Sequence, residues 1–365
     1  MREILLPLPS RDQSYRLLIH PGLRLELGHL LRPLKLPPRL FLITDSRVAH
    51  LYAAAVMKTL EDAGFSPILL TTRPGERAKT WAVVQRLARE LLARGANRRS
   101  PLIALGGGVV GDLTGFLASI FMRGVPFIQV PTTLLAMVDA AIGGKTAINL
   151  PEGKNLLGTF HQPLLVLIDP QFLNTLPRAE LLNGLAEVLK AAFIRDPDLL
   201  ERLERGPSRL FWEPAELTEI IHRAAAIKAQ VVVADEREAG LRRILNFGHT
   251  LGHALEQASA YRLGHGRAVA WGMAAALILS EKLAGLPPEE GARGRRIIKD
   301  LGLTRRPPAL DLRAVLAALP MDKKRRGDDL VFVLLRRWGE PVIREGVPLG
   351  MIKKVLGEEV FGGGG

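Results

Sequence analysis

Cysteine is absent from this 365-residue chain. That excludes disulfides and thiolate metal sites and leaves nitrogen and oxygen as the available metal ligands. No apolar stretch is long and charge-free enough to span a bilayer, and residues 1–20 carry no signal-peptide pattern. A cytoplasmic location without a membrane partner is therefore expected. Aromatic residues make up only 5%, too few for the stacking platforms that hold single-stranded nucleic acid. The scarcity matters because the net charge is +13, which by itself would suggest a polyanionic partner. The basic residues are mostly dispersed among acids: Arg86 and Arg89 lie beside Glu90, and Lys323–Arg326 beside Asp322, Asp328 and Asp329. An anionic small molecule, and no nucleic acid, is the expected counterpart.

What is present is a hydrophobic fraction of 47%, enough for the cores of two domains in a chain of this length. Residues 39–44, 66–71, 102–105, 125–130 and 164–168 are short apolar runs that read as strands, with helical periodicity over 50–63 and 80–93 between them. That alternation predicts a parallel sheet covered by helices. After about residue 174 the pattern changes to helices over 178–193, 215–234, 249–260, 267–284, 289–301 and 312–319, with a late hairpin pairing 330–335 with 342–344. The expected architecture is an α/β N-terminal dinucleotide-binding domain over 1–174 and a mainly α-helical metal- and substrate-binding domain over 175–365.

Three clusters carry chemistry. In the first, Gly106, Gly108 and Gly111 form G-x-G-x-x-G directly after a strand. Such a turn lets backbone N–H groups approach a pyrophosphate at a helix N-terminus. No acid ends a strand about twenty residues later, as the common Rossmann motif requires. Asp112 follows the turn instead, which suggests a dinucleotide fold of another type. Asp45 ends an earlier strand where a ribose could sit, and Pro74-Gly75-Glu76 to Lys79 could close over the nucleotide.

The second cluster is cationic. Gly143-Gly144-Lys145 and Gly153-Lys154-Asn155 set two lysines nine residues apart in Gly-rich loops, with Arg123 upstream. Loop lysines can converge on a phosphate as point charges. A P-loop is excluded because Asp139 occupies the position of its first glycine.

The third is a histidine cluster. His249, His253 and His265 fall within 17 residues of a chain with eight histidines. His249 and His253 are i, i+4, so local geometry makes both of them ligands, as in H-E-x-x-H, although Thr250 stands where that motif needs Glu. Glu187 lies on an otherwise apolar helical stretch, where an unpaired acid is costly, and is a natural further ligand; Lys190 shares its face and could instead be its ion-pair partner.

Gly106–Asp112, Pro131-Thr132-Thr133, Asp139 with Gly143-Gly144-Lys145, Gly153-Lys154-Asn155, Gly184–Val188 with Lys190, Asp235-Glu236-Arg237, Asn246–His253, Gly264-His265-Gly266 and Asp322-Lys323-Lys324 occur in one order over roughly residues 40–340. In that order they resemble the 3-dehydroquinate synthase family of sugar phosphate cyclases. The resemblance implies a phosphate-eliminating lyase of the shikimate pathway that converts 3-deoxy-D-arabino-heptulosonate 7-phosphate to 3-dehydroquinate and phosphate. It implies catalytic NAD, a divalent metal (zinc, with cobalt as the alternative) and a homodimer. Glu187, His249 and His265 then correspond to the metal ligands, which moves His253 to the substrate side. Arg123, Asp139, Lys145, Lys154, Asn155, Lys190, Lys228, Arg242, Asn246, His253 and Lys323 match substrate-site positions, Arg123 by reaching the neighbouring subunit. Lys145, Asn155, Lys190 and His253 are the expected catalytic set. Asp45, Glu76, Lys79, Gly107, Gly108, Val109, Asp112, Thr132, Thr133, Asp139, Lys145, Lys154, Phe172 and Thr175 match NAD positions. The alternatives are another sugar phosphate cyclase, or a metal-dependent alcohol or glycerol dehydrogenase that would accumulate NADH.

Overall fold

The structure is a computed structural model that describes residues 1–6, 14–205, 213–304, 310–319 and 330–360, with side chains as far as residue 357. Lys323 and its neighbours, singled out above, lie outside the described residues. The chain divides into two compact units, Met1–Pro177 with Pro214–Arg237, and Arg178–Glu213 with Glu238–Gly365.

In the first unit the expected strands form: β3 (Arg39–Asp45), β4 (Ser66–Thr72), β5 (Leu102–Gly106), β6 (Phe127–Pro131) and β9 (Leu165–Ile168). They belong to one seven-stranded sheet in the order β1-β2-β9-β6-β5-β3-β4. Pairing is parallel from β2 to β4, and only β1 (Arg2–Leu6) runs antiparallel, against β2 (Tyr15–Ile19). All of β5 is buried, the unbroken apolar run of a strand covered on both faces. Helices α1 (Ala54–Asp62), α2 (Trp81–Ala93) and α3 (Gly108–Ile120) follow β3, β4 and β5. The chain passes from β3 to one side (β4) and then back across to the other (β5). The gap between the carboxyl ends of β3 and β5 is thus a topological switch point, where open α/β sheets bind ligands.

Two elements depart from expectation. The stretch read as lysine-bearing loops is a hairpin of β7 (Lys145–Leu150) and β8 (Gly153–Phe160). Its inward residues Thr146 and Ile148 are buried against α3, where a Cβ on Gly115 would lie 2.4 Å from Thr146 Cγ2. The single cut between residues 174 and 175 is replaced by an excursion. Helix α6 (Pro214–Ala234) returns to the first unit because Ile220, Ile221, Ala224 and Ala225 are buried there, the helix packing against β1 and the turns at 136–140 and 170–175.

The second unit is built on α4 (Arg178–Arg195), α5 (Pro197–Arg205), α7 (His249–Ala258), α8 (His265–Leu283) and α9 (Pro288–Asp300), with a hairpin of β10 (Leu330–Arg337) and β11 (Glu340–Val347). α8 is buried around most of its circumference, as the central helix of a core must be. Trp271, Ala275, Ile278 and Leu279 pack with Leu251, Leu255, Phe332 and Ile352. The buried Ser280 Oγ donates to the Ala276 carbonyl at 2.6 Å and accepts from Leu335 N–H at 2.9 Å, tying α8 to β10. Among the described residues no helix is long and apolar enough to cross a membrane.

Candidate functional site

In the first unit, Gly106-Gly107-Gly108 turns from β5 into α3 at the switch point. No side chain caps α3, so its first N–H groups stay available for an anion. The turn is tight: a Cβ on Gly107 would meet Thr133 Cγ2 at 2.9 Å, and one on Gly108 the Ala140 Cβ at 3.2 Å. Thr132 N–H donates to the Gly106 carbonyl at 2.9 Å, and Thr133 Oγ accepts from Ala136 N–H at 3.2 Å. The donor-rich turn between two strand ends suits the pyrophosphate of a dinucleotide.

Asp45 ends β3 as expected, with one carboxylate oxygen accepting from the N–H groups of Arg47 and Val48 at 2.8 and 3.0 Å. It therefore also caps the helical turn that follows. Lys79 is buried; its Nζ donates to Asp112 Oδ2 at 2.6 Å and to Asn155 Oδ1, and lies 3.8 Å from Glu76. Asn149 links Glu76 (2.7 Å) to the Asn155 N–H (2.9 Å). One network thus joins the 76–79 turn, α3 and the β7–β8 hairpin. Burial pushes the Asp112 carboxyl up, opposed by the Lys79 ammonium. Asp139 accepts from Lys228 Nζ at 2.6 Å, so Lys228 sits with the first unit although it lies late in the chain. Lys145 is exposed at the start of β7 and Lys154 is half-buried on β8. Arg123 is exposed in a left-handed turn in which Met122 also has positive φ. Phe172 is buried edge-on against Tyr52, with ring centroids 4.8 Å apart, and Thr175 Oγ is hydrogen-bonded to the Tyr52 hydroxyl.

In the second unit Glu187 and Lys190 are buried on α4, His249 heads α7 and His265 heads α8. α7 meets α8 through glycines: a Cβ on Gly272 would lie 1.9 Å from the Gly248 carbonyl oxygen, and Gly248 itself has φ +78. Only glycine fits both demands, and the close approach brings the two helix starts together. Gly266 N–H donates to Asn183 Oδ1 at 3.2 Å, holding the start of α8 on α4.

Glu187 Oε1 lies 3.5 Å from His249 Nε2 and 3.4 Å from His265 Nε2. These gaps are long for hydrogen bonds. They match the spacing of roughly 3.3 Å expected between donors sitting about 2.0–2.1 Å from one tetrahedral centre. Both Glu187 oxygens are buried without a well-formed hydrogen bond, although Lys190 Nζ is ion-paired to Oε2. The Glu187–Lys190 ion pair is therefore present beside a group of three side chains spaced so that they could hold a metal. A carboxylate and two imidazoles with an open side are the donor set of a catalytic divalent site, so the residues fit such an ion. Burial would raise the Glu187 carboxyl, but Lys190 and the His249 and His265 rings together hold it well below the usual range. Burial pushes the His249 ring down.

His253 does not join Glu187. It is exposed and groups with Glu256 and His265 instead. The i, i+4 pair is thus split, because His249 faces α4 while the next turn of α7 faces the start of α8. Thr250, at the position of the missing Glu, donates to the Val331 carbonyl at 3.1 Å and serves the fold. Arg242 is buried in the 241–246 turn, and Asn246 Nδ2 donates to Glu238 Oε1 at 3.1 Å. Sequence reasoning missed Glu256, whose Oε2 lies 3.0 Å from His265 Nδ1. The available signal was an acid seven residues after His249 on the buried side of an amphipathic helix.

Family models described as 3-dehydroquinate synthase N-terminal and C-terminal match residues 69–183 and 184–325. A 3-dehydroquinate synthase of Synechococcus sp. is 45% identical over 358 residues, covering 96% of this chain and 97% of that protein. The structure resembles 2-deoxy-scyllo-inosose synthase complexed with carbaglucose-6-phosphate, NAD+ and Co2+, with a TM-score of 0.87 and 26% identity over 97% of this chain and 99% of that one. It also resembles 2-epi-5-epi-valiolone synthase from Streptomyces hygroscopicus with NAD+ and Zn2+ bound, with a TM-score of 0.85 and 32% identity over 94% and 96% of the two chains.

Proposed function

The chain belongs to the 3-dehydroquinate synthase family of enzymes, and we propose that it converts 3-deoxy-D-arabino-heptulosonate 7-phosphate to 3-dehydroquinate and phosphate, using NAD and a divalent metal. The observation that carries the proposal is the spacing of Glu187, His249 and His265, which suits a four-coordinate ion. Binding of NAD and of Co2+ or Zn2+ by structurally similar cyclases supports the cofactor assignment. When bound, NAD would supply reversible hydride transfer and the ion would polarise the hydroxyl being oxidised.

The chain's own residues would do the rest by position and charge. In the first unit the uncapped start of α3 would take the pyrophosphate, and Lys79 would hold Asp112 and Asn155 in place. Lys145 and Lys154 would bind anionic substrate oxygens. Lys228, paired with Asp139, would add positive charge, and Arg123 would act at the neighbouring subunit of a cytoplasmic homodimer. In the second unit Lys190 would keep Glu187 ionised. Arg242 and Asn246 would bind the carboxylate that distinguishes this substrate from those of sibling cyclases. His253, the exposed member of the cluster, would relay a proton at its ring nitrogen. Lys323 completes the proposed set.

The test is phosphate release from the heptulosonate phosphate, with and without NAD and with a chelator. Release that needs both cofactors, with no net absorbance at the NADH band, is expected. Steady NADH accumulation without phosphate would establish a dehydrogenase instead. Turnover only of a sugar phosphate lacking the carboxylate would establish a sibling cyclase.

A further inference from the structure

The two ligand histidines are held by different means. The Nδ1 of His249 faces the Phe247 carbonyl at 3.3 Å, a neutral partner two residues away. The Nδ1 of His265 faces Glu256 Oε2 at 3.0 Å, a carboxylate on another helix that is itself only 5% exposed. Both head a helix after a glycine, but His265 is the less enclosed, its side chain 30% exposed against 12% for His249. A metal-binding imidazole must present an unprotonated nitrogen in a fixed direction, and a hydrogen bond from its other nitrogen sets both. A carboxylate does this more strongly than a carbonyl.

We infer that Glu256 is a positioning residue. It accepts the Nδ1 proton of His265, fixes the tautomer with Nε2 bare, and aims that nitrogen at the point shared with Glu187 and His249, without itself binding the metal. The inference rests on the reading of Glu187, His249 and His265 as the ligands. The competing arrangement makes His253, Glu256 and His265 a second metal group. Hydrogen-bond spacing between Glu256 and His265 argues against it, because an Nδ1 that donates a proton cannot also coordinate.

The experiment titrates zinc into the full-length protein against a competing chelator and measures affinity and stoichiometry for Glu256→Ala, Glu256→Gln and His249→Ala. Nitrogen-15 spectra of the histidines report the His265 tautomer. Glu256→Ala should bind a single zinc about 10–100-fold more weakly, with loss of the single Nε2-bare tautomer. Glu256→Gln should recover part of the affinity, because an amide oxygen can still accept the proton. If Glu256→Ala fails to fold, Glu256→Gln alone decides. Unchanged affinity in Glu256→Gln and Glu256→Ala, with loss of metal in His249→Ala, would overturn the inference and spare the ligand assignment. Unchanged zinc binding in His249→Ala as well would overturn the assignment beneath it. Two zinc ions in the parent and one in Glu256→Ala would make Glu256 a ligand and overturn the positioning role.

Discussion

The two units present charge in opposite ways. In the second, the chemistry is borne by helices: Glu187 sits in the middle of α4, and His249 and His265 head two helices that meet through glycine. Each imidazole has its second nitrogen engaged. In the first, the charged residues are spread over turns, a strand end, a hairpin and two helices, and are joined in pairs across these elements, as in Lys79 with Asp112 and Asn155, and Lys228 with Asp139. Under the proposed function, the contrast follows from what each site would hold. A metal ion tolerates little variation in donor geometry, and packed helices supply rigidity. A nucleotide and a phosphorylated substrate must enter and leave, and loops anchored by ion pairs allow that.

If the helical site is the rigid one, Glu187→Ala should give the largest effect: zinc affinity down by more than about 100-fold, beyond what loss of an orienting partner costs, with phosphate release lost alongside. Stoichiometric zinc retained through dialysis would break the comparison at its root. Next, Lys79→Met removes a buried ammonium from Asp112 and should cost about 3 kcal/mol in urea unfolding, with weaker NAD binding. Adding Asp112→Asn should restore much of that stability; a Lys79→Met protein as stable as the parent would show that the network is ornamental.

Lys145→Ala sharpens the contrast, since an exposed residue on a hairpin has little core to lose. Turnover should fall on the order of 100-fold while the unfolding midpoint stays within about 2 °C. A collapse in stability would show a structural role instead. The smallest effect concerns His161, stacked on Phe127 with its Nε2 at 3.0 Å from the Val125 carbonyl. Burial lowers its pKa from 6.5, so the unfolded chain binds the proton more readily. The stability this contributes is complete above pH 6.5 and is lost as the pH falls through the depressed folded value. His161→Gln should flatten the acid limb of a stability–pH curve slightly, and an unaltered limb would remove His161 from the account.

Much of this was legible because local pattern carries it. Apolar runs gave β3, β4, β5, β6 and β9, the helical period gave α4 and α6 to α9, and ordered glycine, lysine and histidine motifs carried the family resemblance. Misreadings arose where glycine masked a period. Lys145–Leu150 alternates buried and exposed positions at Thr146 and Ile148, yet its flanking glycines read as loop. The return of α6 to the first unit was hidden because it depends on partners distant in sequence.

The sequence by itself determined the chemical inventory: no thiolate, a surplus of cations, a glycine turn after a strand, and one acid and three imidazoles able to hold a metal. Side-chain type and short-range periodicity are properties of the chain alone. Only the tertiary structure decided how closely the His249 and His265 rings approach Glu187, that Glu256 stands behind His265, and that Lys79 joins α3 to a hairpin 76 residues further on. Those choices are set by how closely helices approach and where buried charge finds its partner, and neither quantity exists until distant segments pack.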